Sequence, residues 1–197
     1  MPTTIENFMN VASQKQFSRD FLFRVKQVDI TGLRLDGDNE LIYARSASFP
    51  GRDIENKQVN YAGQTFNLPG KSSYPGSESW QIEFYADQNM DIRSQLERAS
   101  RTLFNNEGPA GGNICMPGNE STITLEVYKI PCNSVLGNPM QLGTIIQLVG
   151  ASLRNIGEIG YEIADGTGEV KTFPATFAFH FYRYFTSNEF NGVFNSL

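Results

Sequence analysis

SWQIEFYADQNMDIRSQLERASRTL (79–103) carries two periods in succession. Trp80, Ile82 and Phe84 alternate with Gln81, Glu83 and Tyr85, the period of two that gives a strand one apolar and one polar face. Ile92, Leu96, Ala99 and Leu103 then recur at helical spacing, with Asp91, Arg93, Glu97, Arg98 and Arg101 filling the other positions. The segment predicts a half-buried strand followed by an amphipathic helix over about 88–104, with Asp87 or Asn89 as its N-cap.

On both sides of this segment the period of two dominates. In DFLFRVKQVD (20–29), Phe21, Phe23 and Val25 share a face opposite Arg24 and Lys26. The turn residues DGDNE (36–40) are expected to separate this strand from a second one at 41–49. These acids are read as a solvated hairpin tip, because an EF-hand's later Gly, distal Glu and flanking helices are missing. Residues 50–79 predict a short strand pair and then a loop rich in Gly, Pro and Ser. TITLEVYKI (122–130) alternates again, and 141–153 is apolar on both faces, as in a central strand. One long strand is expected over about 168–185, with Phe173, Ala175, Phe177, Phe179 and Phe181 on one face. Pro174 gives no ladder hydrogen bond, so a bulge or a partial edge is expected there. A long, Phe-rich strand near an edge invites aggregation unless another strand pairs with it, which points to assembly. Residues 3–14 have capping-box spacing at Thr3 and Glu6 and predict a short amphipathic helix that needs a surface to dock on.

Composition narrows the function. The 197 residues suit one domain, and only 19% of them are charged, against about 25% in typical globular chains. No run approaches the roughly 18 apolar residues of a membrane span, and the first residues lack the order of a signal peptide. Cys115 and Cys132 are too few for a disulfide framework and do not form the C-x-x-C of a structural zinc site. His180 is the one histidine, so no multi-histidine metal site can be assembled and any Ser–His–Asp or Cys–His arrangement would have to use it; it is expected to be a surface or interface side chain. The glycines of GPAGGN (108–113) lack the Gly-Lys-Ser/Thr ending of a phosphate loop. The chain is read as a non-enzyme with no cofactor and no metal. A net charge of −5 argues against tight nucleic-acid binding, which rests on clustered Lys and Arg.

VNYAGQTFNLPG (59–70), followed by ESWQIEFYAD and a helix containing RSQLERA, resembles the tail tube protein family of contractile-tailed bacteriophages. Val59, Tyr61, Phe66, Asn67, Leu68 and Gly70 fall on that family's strand-pair pattern, and Trp80 on the aromatic that opens the next strand. Ile156-Gly157, then Glu169-Val170-Lys171-Thr172-Phe173 running on to Tyr182 and Tyr184, resembles its C-terminal signature, and Phe21-Leu22-Phe23-x-Val25 its first strand. The likeness spans about 15–185 and departs from the family in longer loops near 30–40 and 105–120 and in the polar tail. It implies a mainly β chain, an antiparallel β-barrel or sandwich with one flanking helix and extended loops. The whole of 1–197 is then a single tail-tube domain with an N-terminal arm (1–16) and a polar C-terminal tail (186–197). The resemblance further implies hexameric rings stacked into a hollow tube within a virion assembled in the host cytoplasm. Sheath, baseplate and tail-terminator proteins would be its partners, and genomic DNA would pass through the lumen without sequence-specific binding. Phe66, Leu68, Tyr74, Phe190 and Phe194 are the expected inter-subunit contacts. A tube-initiating or tube-terminating ring protein and a carbohydrate-binding β-sandwich are the alternatives. The charge fits a conduit, since six copies would carry about −30 and an acidic lining would not hold phosphates.

Overall fold

The computed structural model describes residue 5 and residues 22–37, 41–104, 116–129, 141–161 and 168–186. The expected N-terminal helix, Phe21, both cysteines, Phe190 and Phe194 lie outside the described residues.

Among the described residues the fold is mainly β, with antiparallel sheets and one long α-helix, in a sandwich-like arrangement. β1 (Phe23–Ile30), β2 (Leu33–Asp36), β7 (Thr122–Lys129), β8 (Gln141–Val149) and β11 (Phe181–Thr186) form a five-stranded sheet in the order β11-β8-β7-β1-β2. β3 (Ala44–Ala47), β6 (Trp80–Tyr85), β9 (Ser152–Ile156) and β10 (Thr172–Ala178) form a four-stranded sheet in the order β3-β6-β10-β9. β4 (Asp53–Tyr61) and β5 (Gln64–Ser73) pair only with each other. The helix α1 (Asp91–Leu103) packs on β2 and β9, one strand from each sheet.

The core lies where the inward faces meet. Phe84, Phe173, Phe177, Ile82, Ile123, Leu125 and Leu148 are fully buried, and Trp80 donates its indole N–H to the Ser48 carbonyl at 2.7 Å. The alternation of β6 stands as read, with Trp80, Ile82 and Phe84 buried and Gln81 and Tyr85 exposed. β8 sits between two strands and buries Ile146 and Leu148 in the core and Ile145 and Val149 on its other face, as its two-sided apolar pattern predicts. α1 buries Ile92, Leu96 and Ala99. Arg93 is not merely solvated: it donates to the Gly157 carbonyl at 2.7 Å and lies 5.6 Å from the centre of the Phe173 ring.

Several expectations need correction. The helix begins at Asp91, behind Met90 in a left-handed conformation, and Asp87 contributes by accepting the Asp91 N–H at 2.9 Å; Asn89 is not the cap. The first hairpin turns at Thr31-Gly32 rather than at DGDNE, because Gly32 takes φ +79 and lies against the Thr102 side chain, where only glycine fits. Residues 41–49 hold a 3-10 turn (Leu41–Tyr43) and the four-residue β3, which joins the other sheet. A register shift between Val25 and Gln27 moves the buried positions of β1 to Val25, Val28 and Ile30.

The two long C-terminal runs are each two strands. Residues 141–153 cross from β8 to β9 at Gly150, and 168–185 crosses from β10 to β11 at Phe179-His180. Phe179 turns its N–H away from both ladders to the Ser77 carbonyl at 2.8 Å, while His180 donates to Val149 at 3.0 Å and starts the β8–β11 pairing. The inward parity changes at the junction: Phe173, Ala175, Phe177 and Phe179 lie in the core, whereas on β11 Tyr182 packs on it and Phe181, opposite Val149, takes the other face, so the single face expected to run on to Phe181 is interrupted. Pro174 occupies a partial edge, as expected: the β9 ladder ends at Ala175↔Ile156, one residue short of it, and the register shifts between Thr176 and Phe177.

Candidate assembly surface

The strand pair expected within 50–79 is a long ribbon, and four of its apolar side chains, Val59, Tyr61, Phe66 and Leu68, are exposed. Its register sets Tyr61 against Gln64, Val59 against Phe66 and Lys57 against Leu68. Since side chains alternate across a strand, these residues share one face. The pairs between them, Asn60 with Thr65 and Gln58 with Asn67, form the opposite, amide-rich face, where Thr65 donates to Asn60 Oδ1 at 2.8 Å. The tip closes through Ala62 (φ 51) and Gly63 (φ 78), the two positive angles of a type I′ turn, which matches the twist of the flanking strands. Near the base, Gly70 and Lys71 stand opposite Glu55 in a bulge, with Lys71 and Glu55 4.0 Å apart.

Val59 is 46% exposed, Tyr61 74%, Phe66 49% and Leu68 52%. Together they present a few hundred Å² of contiguous apolar surface, the size that marks an interaction site on a soluble protein. A two-stranded hairpin alone is marginal in water, so this face gains from a second surface. Of the five residues expected at subunit contacts, Phe66 and Leu68 sit together on this face. Tyr74 lies apart at the foot of the ribbon, half-buried with its ring 5.3 Å from that of Tyr182, which ties it to its own chain. Phe190 and Phe194 lie outside the described residues. Val59 and Tyr61 complete the face and are absent from the expected contacts; their alternation with Asn60 in VNYAGQTF (59–66) is the signal that points to them.

The outward face of the four-stranded sheet is polar. Glu83 on β6 accepts hydrogen bonds from Thr172 on β10 at 2.9 Å, from Arg45 on β3 at 3.0 Å and from Ser46 at 3.2 Å. The Thr172 hydroxyl is the main cause of a lowered Glu83 pKa; partial burial opposes it, and the Arg45 charge and the Ser46 hydroxyl add to it. A carboxylate whose folded pKa is depressed stabilises the fold above its unfolded value, here 4.5, and loses that contribution as pH falls through the folded value. Glu83→Gln is therefore expected to lower stability at pH 7, with the gap to the native protein narrowing below pH 4.5. Urea titrations at pH 7 and pH 3 measure this, and an equal gap at both would remove the ion from the account. Among the described residues no group of His, Cys, Asp and Glu could hold a metal, and His180 is exposed.

No family model and no curated protein matches the sequence. Solved structures do share the fold. A chain of the anti-feeding prophage baseplate aligns with a TM-score of 0.57 at 14% identity, over 87% of this chain and 97% of that one. The tube-terminating cap of the same prophage aligns with a TM-score of 0.56 at 10% identity, over 88% and 93%. A chain of the sheath–tube complex of an extracellular contractile injection system aligns at 0.50 and 10% identity, over 94% and 99%. The protein has the fold of components of contractile injection particles. In each case the match spans nearly the whole of the other chain, and at these identities it speaks for architecture.

Proposed function

We propose that this chain is a structural subunit of the inner tube of a contractile phage tail, assembling as hexameric rings that stack into a conduit for the genome. The observation that carries the reading is the ribbon, whose Val59, Tyr61, Phe66 and Leu68 are exposed rather than packed in the core of their own chain. The shared fold supplies the kind of assembly. Sheath, baseplate and terminator proteins are the partners in this reading, the virion tail is its location, and DNA passes without base-specific contact. Phe66 and Leu68, with Phe190 and Phe194 of the C-terminal tail, are the proposed contact residues.

Strand parity supports a ring. All neighbours within the four-stranded sheet are antiparallel, so β3 and β9 at its edges run in opposite directions. Copies placed side by side by rotation would bring β9 against the next β3 antiparallel, continuing one sheet and removing its free edges. In the five-stranded sheet the edges β2 and β11 run the same way, so the same operation would force a less stable parallel pair.

A second reading, a ring that starts or ends the tube, is favoured by the fit to the baseplate and cap chains, which is slightly better than the fit to the sheath–tube chain. Electron microscopy of the purified protein separates the two. Tubes of stacked rings support the tube subunit, single rings that do not stack support the starter or terminator, and a persistent monomer that binds glycans sinks both.

A further inference from the structure

Over Asp53–Ser73 the ribbon balances Asp53 and Glu55 with Lys57 and Lys71, and both acids lie at its base, where Glu55 is 4.0 Å from Lys71; beyond the base Lys57 is its charged residue. Lys57 stands on the apolar face, opposite Leu68, with no ion-pair partner among the described residues. At about 3.3 Å per residue the ribbon reaches roughly 30 Å, far enough to touch another copy.

One open groove on the body has matching chemistry. It has a volume of about 550 Å³ and a mixed lining, with Tyr43, Ala86 and Ile92 beside Gln88, Asn89 and the carboxylates of Asp87 and Asp91. Asp87 Oδ2 is engaged with the Asp91 N–H, while Oδ1 is the one buried side-chain oxygen among the described residues without a hydrogen-bond partner. Asp91 is exposed and has no ion pair among the described residues. The groove thus lacks a cation and an apolar insert, and the ribbon carries both.

We infer that the apolar face of the ribbon, led by Lys57, docks in the Tyr43–Asp87–Asp91 groove of a second copy of this chain. The inference rests on the ring-stacking reading and adds to it the acceptor surface and the direction of the contact. Ribbon and groove are different patches, so the contact is head-to-tail and leaves a free ribbon at one end and a free groove at the other. Repetition then gives an open-ended stack rather than a closed pair.

Charge exchange tests it on the full-length protein, by sedimentation and negative-stain imaging at low salt. Lys57→Glu is expected to cut the assembled fraction at least tenfold with an unchanged circular dichroism spectrum, because the residue is fully on the surface. Asn89→Lys, which places a cation in the groove without touching the helix, should do the same alone, and Asp91→Lys provides a second groove variant. Combining Lys57→Glu with either groove substitution should restore assembly to within threefold of the native level. If the native protein assembles and Lys57→Glu assembles equally well, or if neither combination recovers, this docking is overturned while the ring reading stands. A native protein that never assembles overturns both.

Discussion

Replacing Tyr61, Phe66 and Leu68 together with serine is expected to leave a folded protein that no longer forms tubes. The three side chains are half to three-quarters exposed, so their removal opens no cavity in the core. Surface changes of this kind usually stay within about 0.5 kcal/mol each. Docking is another matter. Full burial of a large apolar side chain gains about 1.5–3 kcal/mol, and covering the exposed parts of these three would gain roughly 3–5 kcal/mol per ribbon. At 1.4 kcal/mol per tenfold, that lowers the association constant of each contact by roughly 10²–10³. In a ring the loss recurs at every subunit, so assembly should vanish over a narrow concentration range rather than weaken gradually. The measurement is the concentration at which polymer first appears, read beside thermal unfolding. Tubes at the native threshold would remove the ribbon from assembly. A large drop in melting temperature would show that the ribbon belongs to the core of its own subunit after all.

The parts of this surface differ in how well the sequence declares them. Phe66 and Leu68 alternate with polar neighbours, and the AG tip lies between the two halves of the pattern, so a strand pair is legible. Its length is not: exposed amides such as Gln58, Asn60 and Asn67 read as loop because neither face meets a core, and burial is what makes a strand's period stand out. Tyr74 has a neighbour that its local sequence does not announce. It stands beside Pro75 and Gly76 and reads as a loop aromatic free to reach outward, yet it packs on Tyr182, more than a hundred positions along the chain. Such a contact depends on which strands neighbour each other, and no local pattern encodes that. The junctions at Gly150 and Phe179-His180 are hidden for a related reason. Apolar residues keep recurring along the sequence there, yet the inward parity flips at each junction, from Ile146 and Leu148 to Ala151 and Leu153 and from Phe177 and Phe179 to Tyr182, and the apolar residues on the other faces hide the change. Turn chemistry also ranked DGDNE above Thr31-Gly32, although a single glycine closes the observed hairpin against α1. The strand–helix unit at 79–103 was legible almost residue by residue, since there burial is decided within the segment itself.

Phe177→Ala should have the largest effect on the fold, and comparing it with the ribbon variant separates stability from assembly. Phe177 is fully buried on β10, where it pairs across to Trp80 with ring centroids 6.2 Å apart; Phe173 and Phe84 form a similar pair four residues along, at 5.8 Å. Deleting the ring removes its burial and leaves a void inside a strand that is paired on both sides, with β6 at Trp80 and with β9 at Leu153. Phe-to-Ala changes in such places cost about 3–5 kcal/mol. For a chain of this size each kcal/mol moves the melting temperature by about 2–4 °C, so a fall of roughly 6–20 °C is expected. Trp80 is the one tryptophan and is 4% exposed, so its fluorescence reports on this contact directly and should shift to the red in the folded variant. A cost below about 1 kcal/mol would mean that the two sheets do not pack here as described. Below its lowered melting temperature the variant should still assemble, because its ribbon and sheet edges are intact. The serine ribbon variant should show the reverse, native stability without tubes. That double dissociation is what a subunit with separate folding and docking surfaces requires. If Phe177→Ala and the ribbon variant instead lost stability and assembly together, the uncovered face of β4 and β5 could not be a dedicated contact.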